Sequence, residues 1–225
     1  ILTTVTLSTN NSPSTHAKTG RVVTLSIVAN DSISQPVVTF SSGGAALNNA
    51  SSRTITYGGS GTTHTASYIT DANDTEGDVT VSIDFKNHAD IDGSTVSALT
   101  TGQVPVVFDK TLPTLGSVSI LSNNSTNTVA TSGNTVTLAF TAKEQIQNDH
   151  DAGDYAVTFK SGGDPINDTS ITYDNPGAGN DFTATYTVAA GDTGGPVTCS
   201  IAFKDLAGND GTPDIDVDGP SAVTL

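Results

Sequence analysis

Residues 79–86 read V-T-V-S-I-D-F-K, and residues 197–204 read V-T-C-S-I-A-F-K. In both stretches apolar side chains alternate with mostly polar ones. A period of two places the apolar set on the buried face of a β-strand and the other set on its solvated face. The two stretches therefore predict equivalent half-buried strands, and their likeness indicates that one β unit occurs twice in the chain.

The likeness extends along the chain in the same order. Residues 38–44 read V-T-F-S-S-G-G and residues 157–163 read V-T-F-K-S-G-G, and further matching segments precede and follow them. Colinear similarity of this kind indicates tandem repeats. We expect three parts: a first repeat at 1–108, a linker at 109–114 and a second repeat at 115–225.

Each repeat contains about seven short alternating segments at roughly ten-residue spacing, separated by Gly, Asn and Asp. This pattern predicts an all-β fold: two tandem Ig-like β-sandwich domains of about seven strands each, which we expect to stack end to end. The seventh strand of the second repeat is predicted at Val223 and Leu225. The single cysteine, Cys199, excludes an intrachain disulfide and falls on an inward position, so we expect it to be a buried thiol.

The charge of the chain limits its partners. The formal net charge is −15 at pH 7, with only 8 Lys and Arg. Binding to a phosphate backbone depends on Lys and Arg, so the charge argues against nucleic acid and we expect no nucleic-acid partner. No segment has the apolar length needed to cross a membrane, so we expect no direct membrane insertion. The excess of acidic groups instead favours divalent cations, a salty environment, or solubility of a surface protein.

Catalysis is not indicated. The sequence lacks a G-x-S-x-G nucleophile motif and a phosphate-binding Gly loop, and sandwiches of this size rarely hold a cleft in which carboxylates could cleave a sugar. We therefore expect a non-catalytic protein.

Two motifs carry a resemblance to a known family. D-K-T-L-P-T occupies the linker at 109–114, and D-L-A-G-N-D follows the predicted sixth strand at 205–210. Together with the repeat, they resemble the bacterial and archaeal Ig-like (BIg-type) tandem repeats of large cell-surface proteins, and the resemblance covers essentially the whole chain. The first repeat departs from it with N-H-A-D-I-D-G at 87–93.

The resemblance implies an extracellular, cell-surface protein and leaves several functions open. The chain could supply structural or spacer repeats of an adhesin stalk, or a component of a surface layer or filament. Its partners would then be neighbouring copies of the repeat or of the same protein. The alternative is a ligand-binding adhesin module that contacts a surface glycan or a partner cell. The missing initiator Met leads us to expect a mature or excised part of a longer protein.

Acidic residues fall where loops should converge. In an Ig-like topology the incoming linker, the B–C loop and the F–G loop share one pole of the domain. Ca²⁺ takes six to eight oxygen ligands, so a site of this kind needs several loops. The hypothesis is a Ca²⁺ site that stiffens the junction between the repeats, and the competing interpretation is that Asp and Asn are merely good turn residues. The candidate metal ligands are Asp109, Glu144, Asp205, Asn209 and Asp210, together with Asp74 from the E–F loop of the first repeat.

Overall fold

The computed structural model describes residues 1–47, 54–148, 153–168, 170–175, 179–212 and 222–225. The chain forms two compact units, Ile1–Thr111 (unit 1) and Leu112–Leu225 (unit 2), so the boundary falls within the segment predicted as a linker. The described residues form strands, turns and bends without an α-helix. Among them, no helix of sufficient length and hydrophobicity to cross a membrane occurs.

Unit 1 is a sandwich of two sheets. One sheet has the order β1-β3-β7-β6 and the other β2-β9-β8-β4-β5, and β2 pairs with β9 in parallel while the remaining pairs are antiparallel. The strands are β1 (Leu2–Thr9), β2 (His16–Ala17), β3 (Val22–Ala29), β4 (Val37–Ser42), β5 (Ala45–Ala46), β6 (Thr56–Ser60), β7 (Thr63–Ile69), β8 (Gly77–Asp84) and β9 (Val107–Phe108).

The strand order is that of an immunoglobulin-like domain. If β1, β3, β4, β6, β7, β8 and β9 are lettered A to G in chain order, the two sheets read A-B-E-D and G-F-C. The short strands β2 and β5 extend the second sheet as A′ and C′. The all-β prediction of two tandem Ig-like domains is confirmed, and the two-residue strands A′ and C′ are additions that alternation over so few residues does not reveal.

Unit 2 repeats this plan. Its sheets have the orders β10-β11-β15-β14 and β13-β12-β16, which correspond to A-B-E-D and C′-C-F. At the predicted seventh strand, Thr224 makes isolated bridges, parallel to Val129 and antiparallel to Pro196, rather than a continuous strand. The strands are β10 (Leu115–Ser122), β11 (Thr135–Ala142), β12 (Tyr155–Ser161), β13 (Asp164–Pro165), β14 (Thr172–Asp174), β15 (Asp181–Thr187) and β16 (Val197–Phe203).

Each unit buries its own core, built from the inward positions of the strands. The same aromatic pair recurs across the two sheets. The rings of Phe40 and Tyr68 lie 4.8 Å apart in unit 1, and those of Phe159 and Tyr186 lie 4.8 Å apart in unit 2. Such pairs stabilise a core by about 0.5–1.5 kcal/mol beyond the area they bury. Cys199 is a buried thiol within the unit 2 core and forms no disulfide, as the alternation predicts.

Candidate metal centre

One pole of unit 2 brings together the incoming chain, the B–C loop and the F–G loop. The N–H of Lys143 donates to the carbonyl of Thr114 at 2.9 Å, and the N–H of Gln147 donates to the carbonyl of Lys204 at 2.9 Å. Ile146 and Asp205 form an isolated antiparallel bridge between the last two of these loops. The incoming chain and the two loops that carry Glu144 and Asp205 are therefore connected to one another by backbone hydrogen bonds.

Asp205 closes the F–G turn and is almost fully buried, with an exposure of 1%. Its Oδ1 accepts a hydrogen bond from the N–H of Asn209 at 2.8 Å, and its Oδ2 accepts one from Nδ2 of Asn209 at 2.8 Å. Gly208 supplies the positive φ of 81° that the tight turn requires. The D-L-A-G-N sequence thus forms a turn wound around a buried carboxylate.

Glu144 lies beside this carboxylate. One of its carboxylate oxygens is within 4.8 Å of an Asp205 oxygen, although the two residues are 61 positions apart (205 − 144). Two like charges at this separation repel each other, and a cation between them would convert that repulsion into attraction. The donors are carboxylate oxygens with an Asn side chain next to them, a set suited to a hard cation such as Ca²⁺.

Asp210 is turned away from this pair. Its side chain is 74% exposed, and its Oδ1 lies 3.9 Å from Nζ of Lys204. Asp210 therefore lies on the outer edge of the F–G turn. Its assignment as a metal ligand stays a prediction from the sequence.

The two remaining predicted ligands, Asp74 and Asp109, belong to unit 1. Asp74 is buried, with an exposure of 1%, and its Oδ2 accepts the N–H of Asp71 at 2.9 Å inside the E–F loop. The equivalent turn of unit 2 is built the same way, because Oδ2 of Asp192 accepts the N–H of Ala189 at 2.9 Å. This repetition gives Asp74 a turn-forming role, and its metal role likewise stays a prediction.

Asp109 follows strand G of unit 1. Its N–H donates to the carbonyl of Ala17 at 3.0 Å, and its Oδ1 accepts the N–H of Thr111 at 2.9 Å. The Asp109 carboxylate is thus presented on a short turn whose backbone is held by strand A′.

The F–G turn of unit 1 has the same geometry with a neutral residue at its centre. Asn87 stands where unit 2 has Asp205, and its Oδ1 accepts the N–H groups of Ala89 at 2.9 Å and of Ile91 at 3.0 Å. Asp90 adopts the positive φ, 62°, that Gly208 adopts in unit 2. The N-H-A-D-I-D-G segment, which departs from the motif in sequence, therefore makes an equivalent turn without its buried carboxylate.

Glu76 is a functional residue that the sequence reasoning did not single out. The acidic run D-A-N-D-T-E-G-D at 71–78 was the available signal, but charge alone does not tell which member faces the linker. Partial burial acts to raise the pKa of Glu76, while hydrogen bonds from the backbone of Lys110 and the side chain of Thr111 lower it; the net effect is a lowered pKa.

By its strand order the chain consists of two immunoglobulin-like domains, a class that serves in many proteins as structural or binding modules. No protein-family model and no curated protein matches the sequence.

Solved structures that align with this chain include a chimeric titin Z1Z2 functionalized with an exogenous peptide from decorin. It is 14% identical, with a TM-score of 0.39, over 99% of this chain and 97% of that one. A marsupial T cell receptor is 16% identical, with a TM-score of 0.29, over 97% of each chain. The titin domains Z1Z2 in complex with telethonin are 13% identical, with a TM-score of 0.27, over 100% of this chain and 95% of that one. Alignments with TM-scores this low establish neither fold nor function, and the strand order is what defines both units as immunoglobulin-like.

Proposed function

We propose that the chain supplies structural repeats of a large extracellular surface protein, as part of an adhesin stalk, a surface layer or a filament. The observation that carries this proposal is the repetition of one sandwich down to its internal contacts. The N–H of Val38 donates to the hydroxyl of Tyr57 at 3.1 Å, and the N–H of Val157 donates to the hydroxyl of Tyr173 at 3.2 Å. Duplication of a whole module, including its buried details, is typical of proteins that extend by adding repeats.

The surface chemistry supports the same proposal. A net charge of −15 keeps copies of the module soluble and attracts cations to them, as suits a protein exposed to a salty medium. The partners would be neighbouring copies of the repeat or of the same protein.

The test is to locate the native protein. Antibodies raised against the two-unit chain should label intact source cells, and protease added to those cells should remove the signal. Labelling that requires permeabilised cells would contradict the proposal. Binding of the isolated chain to a defined glycan on an array would instead favour the alternative of a ligand-binding adhesin module.

We further propose that Ca²⁺ binds at the pole of unit 2, between Glu144 and Asp205, with Asn209 beside them. Three features support this: the short distance between the two carboxylates, the burial of Asp205, and the all-oxygen donor set. Asp109, which lies three positions before the start of unit 2, is the proposed additional ligand from the linker. Removal of Ca²⁺ and substitution of these residues test the site, as described in the Discussion.

A further inference from the structure

The E–F loop of unit 1 forms hydrogen bonds with the first residues that follow the last strand, β9. The side chain of Glu76, in the E–F loop, accepts hydrogen bonds from two donors in the segment after β9, and the Thr111 hydroxyl is shared between its two oxygens. Its Oε1 accepts the N–H of Lys110 at 2.7 Å and the hydroxyl of Thr111 at 2.9 Å, and its Oε2 accepts the same hydroxyl at 3.1 Å. One carboxylate therefore holds two consecutive residues of the linker.

Lys110 also donates hydrogen bonds in the opposite direction, from the linker segment to the E–F loop. Its Nζ donates to the carbonyls of Ala72 and Asp74, at 2.8 Å each. Hydrogen bonds to a charged group are about twice as strong as neutral ones. The ammonium group and the Glu76 carboxylate thus fasten the loop and the linker segment to each other from both sides. We refer to this arrangement of Glu76, Lys110 and Thr111 as the clasp.

The second unit offers an internal comparison. Gly194 occupies the position of Glu76, as the alignment of Gly77 with Gly195 and of Asp74 with Asp192 shows. Glycine has no side chain that could accept hydrogen bonds from a following segment. Because the E–F turn is otherwise built alike in the two units, the fold does not require a carboxylate at this position. The Glu76 side chain is therefore not needed to form the E–F turn, and the hydrogen bonds described for it go to Lys110 and Thr111 of the linker.

The clasp lies next to a proposed metal ligand, Asp109. Asp109 immediately precedes Lys110, and its Oδ1 accepts the N–H of Thr111. We propose that Glu76 and Lys110 are positioning residues that hold residues 109–111 against the E–F loop of unit 1 and thereby fix the direction of the Asp109 carboxylate. The positioning part rests on the proposed Ca²⁺ site, whereas the clasp itself exists without metal. Groups that orient metal ligands from outside typically change affinity by about 10- to 100-fold.

The experiment has two arms and uses the whole chain. In the first arm, hydrogen exchange of the Lys110 and Thr111 amides is followed by NMR in EDTA for the wild type, Glu76→Gln and Glu76→Ala. We expect exchange to be fastest in Glu76→Ala, by about tenfold, with Glu76→Gln between, because Gln keeps one acceptor oxygen. Asp78→Asn is the matched control, since it removes the same charge from an exposed side chain in the same unit.

In the second arm, Ca²⁺ binding is measured by calorimetry for the same variants. We expect Glu76→Ala to weaken it by about tenfold and Asp78→Asn to leave it unchanged. Unchanged amide exchange in Glu76→Ala would overturn the clasp. Faster exchange with unchanged Ca²⁺ affinity would overturn the positioning role. If the wild type binds no Ca²⁺ at all, the metal site and the positioning role both fail, while the clasp is decided by the exchange data alone.

Discussion

Glu144 and Asp205 place carboxylate oxygens within 4.8 Å of each other in unit 2, although Asp205 is only 1% exposed. In unit 1 the corresponding turn is centred on the neutral Asn87. The two units therefore differ in charge at a position where they agree in backbone geometry, and this difference allows the metal hypothesis to be tested without disturbing the fold.

Asp205→Asn should weaken Ca²⁺ binding by more than about tenfold while unit 2 stays folded. The loss follows from removing one of two adjacent carboxylates, and the fold should survive because Asn87 forms the same turn in unit 1. Calorimetric titration of the chelated protein measures the affinity. Asp174→Asn, which removes an exposed carboxylate elsewhere in unit 2, is the control. Equal heats from Asp205→Asn and the wild type would count against the site.

Chelation should lower the melting temperature of the wild type. A ligand present at about a hundred times its dissociation constant stabilises the folded state by roughly 2.7 kcal/mol, which for a domain of this size corresponds to roughly 10 °C. Asp109→Ala should reduce this difference between Ca²⁺ and EDTA, because the proposed linker ligand is lost. Differential scanning calorimetry measures both effects. A melting temperature indifferent to EDTA would leave the acidic loops as ordinary turns.

Gly211→Ala and Gly93→Ala should each destabilise their own unit by about 1–3 kcal/mol. A β-carbon on Gly211 would overlap the ring of Phe203, and one on Gly93 would overlap the ring of Phe85. Both rings lie beside the F–G turn, so the glycines are required by close packing rather than by a positive φ. Gly194→Ala is the control, since its new β-carbon would meet only a backbone oxygen at 3.6 Å. Chemical denaturation provides the measurement, and equal losses in all three variants would refute the packing argument.

Tyr186→Phe should leave stability unchanged or raise it by up to about 2 kcal/mol at neutral pH. Within the described part of the chain, the buried Tyr186 hydroxyl has no hydrogen-bond partner, so its removal relieves a desolvated polar group. Burial, with a smaller contribution from the charge of Asp192, raises the pKa of Tyr186 to about 12.

The same hydroxyl predicts an alkaline loss of stability. The raised pKa means that the unfolded chain ionises first, so the wild type should lose stability as the pH rises from about 10 towards about 12. Tyr186→Phe should lose less in this window. Thermal denaturation at several pH values compares the two proteins, and parallel losses would show that another group is responsible.

The sequence by itself determined the longer strands and the duplication, but not the two-residue strands. Alternation such as V-T-V-S-I-D-F-K is a local property, because successive side chains of a strand point to opposite faces, and it gave the inward positions of β8 and β16 directly. The same alternation occurs at the equivalent position of the other repeat, which supports the assignment of both strands. The sequence also placed Glu144 and Asp205 in loops at one pole, since topology alone dictates which ends of the strands meet.

Only the tertiary structure decided what each acidic side chain does. Asp205 and Asp210 are both aspartates of the D-L-A-G-N-D motif. Asp205 is buried beside Glu144, whereas Asp210 is exposed near Lys204. Glu76 and Lys110 are 34 residues apart, and no periodicity relates them. Such contacts join loops that follow different strands, so they depend on how two sheets pack and on how each turn aims its side chains. The role of a carboxylate depends on which groups lie within a few ångströms of it. Those distances are determined by tertiary packing and cannot be read from the positions of the strands in the sequence.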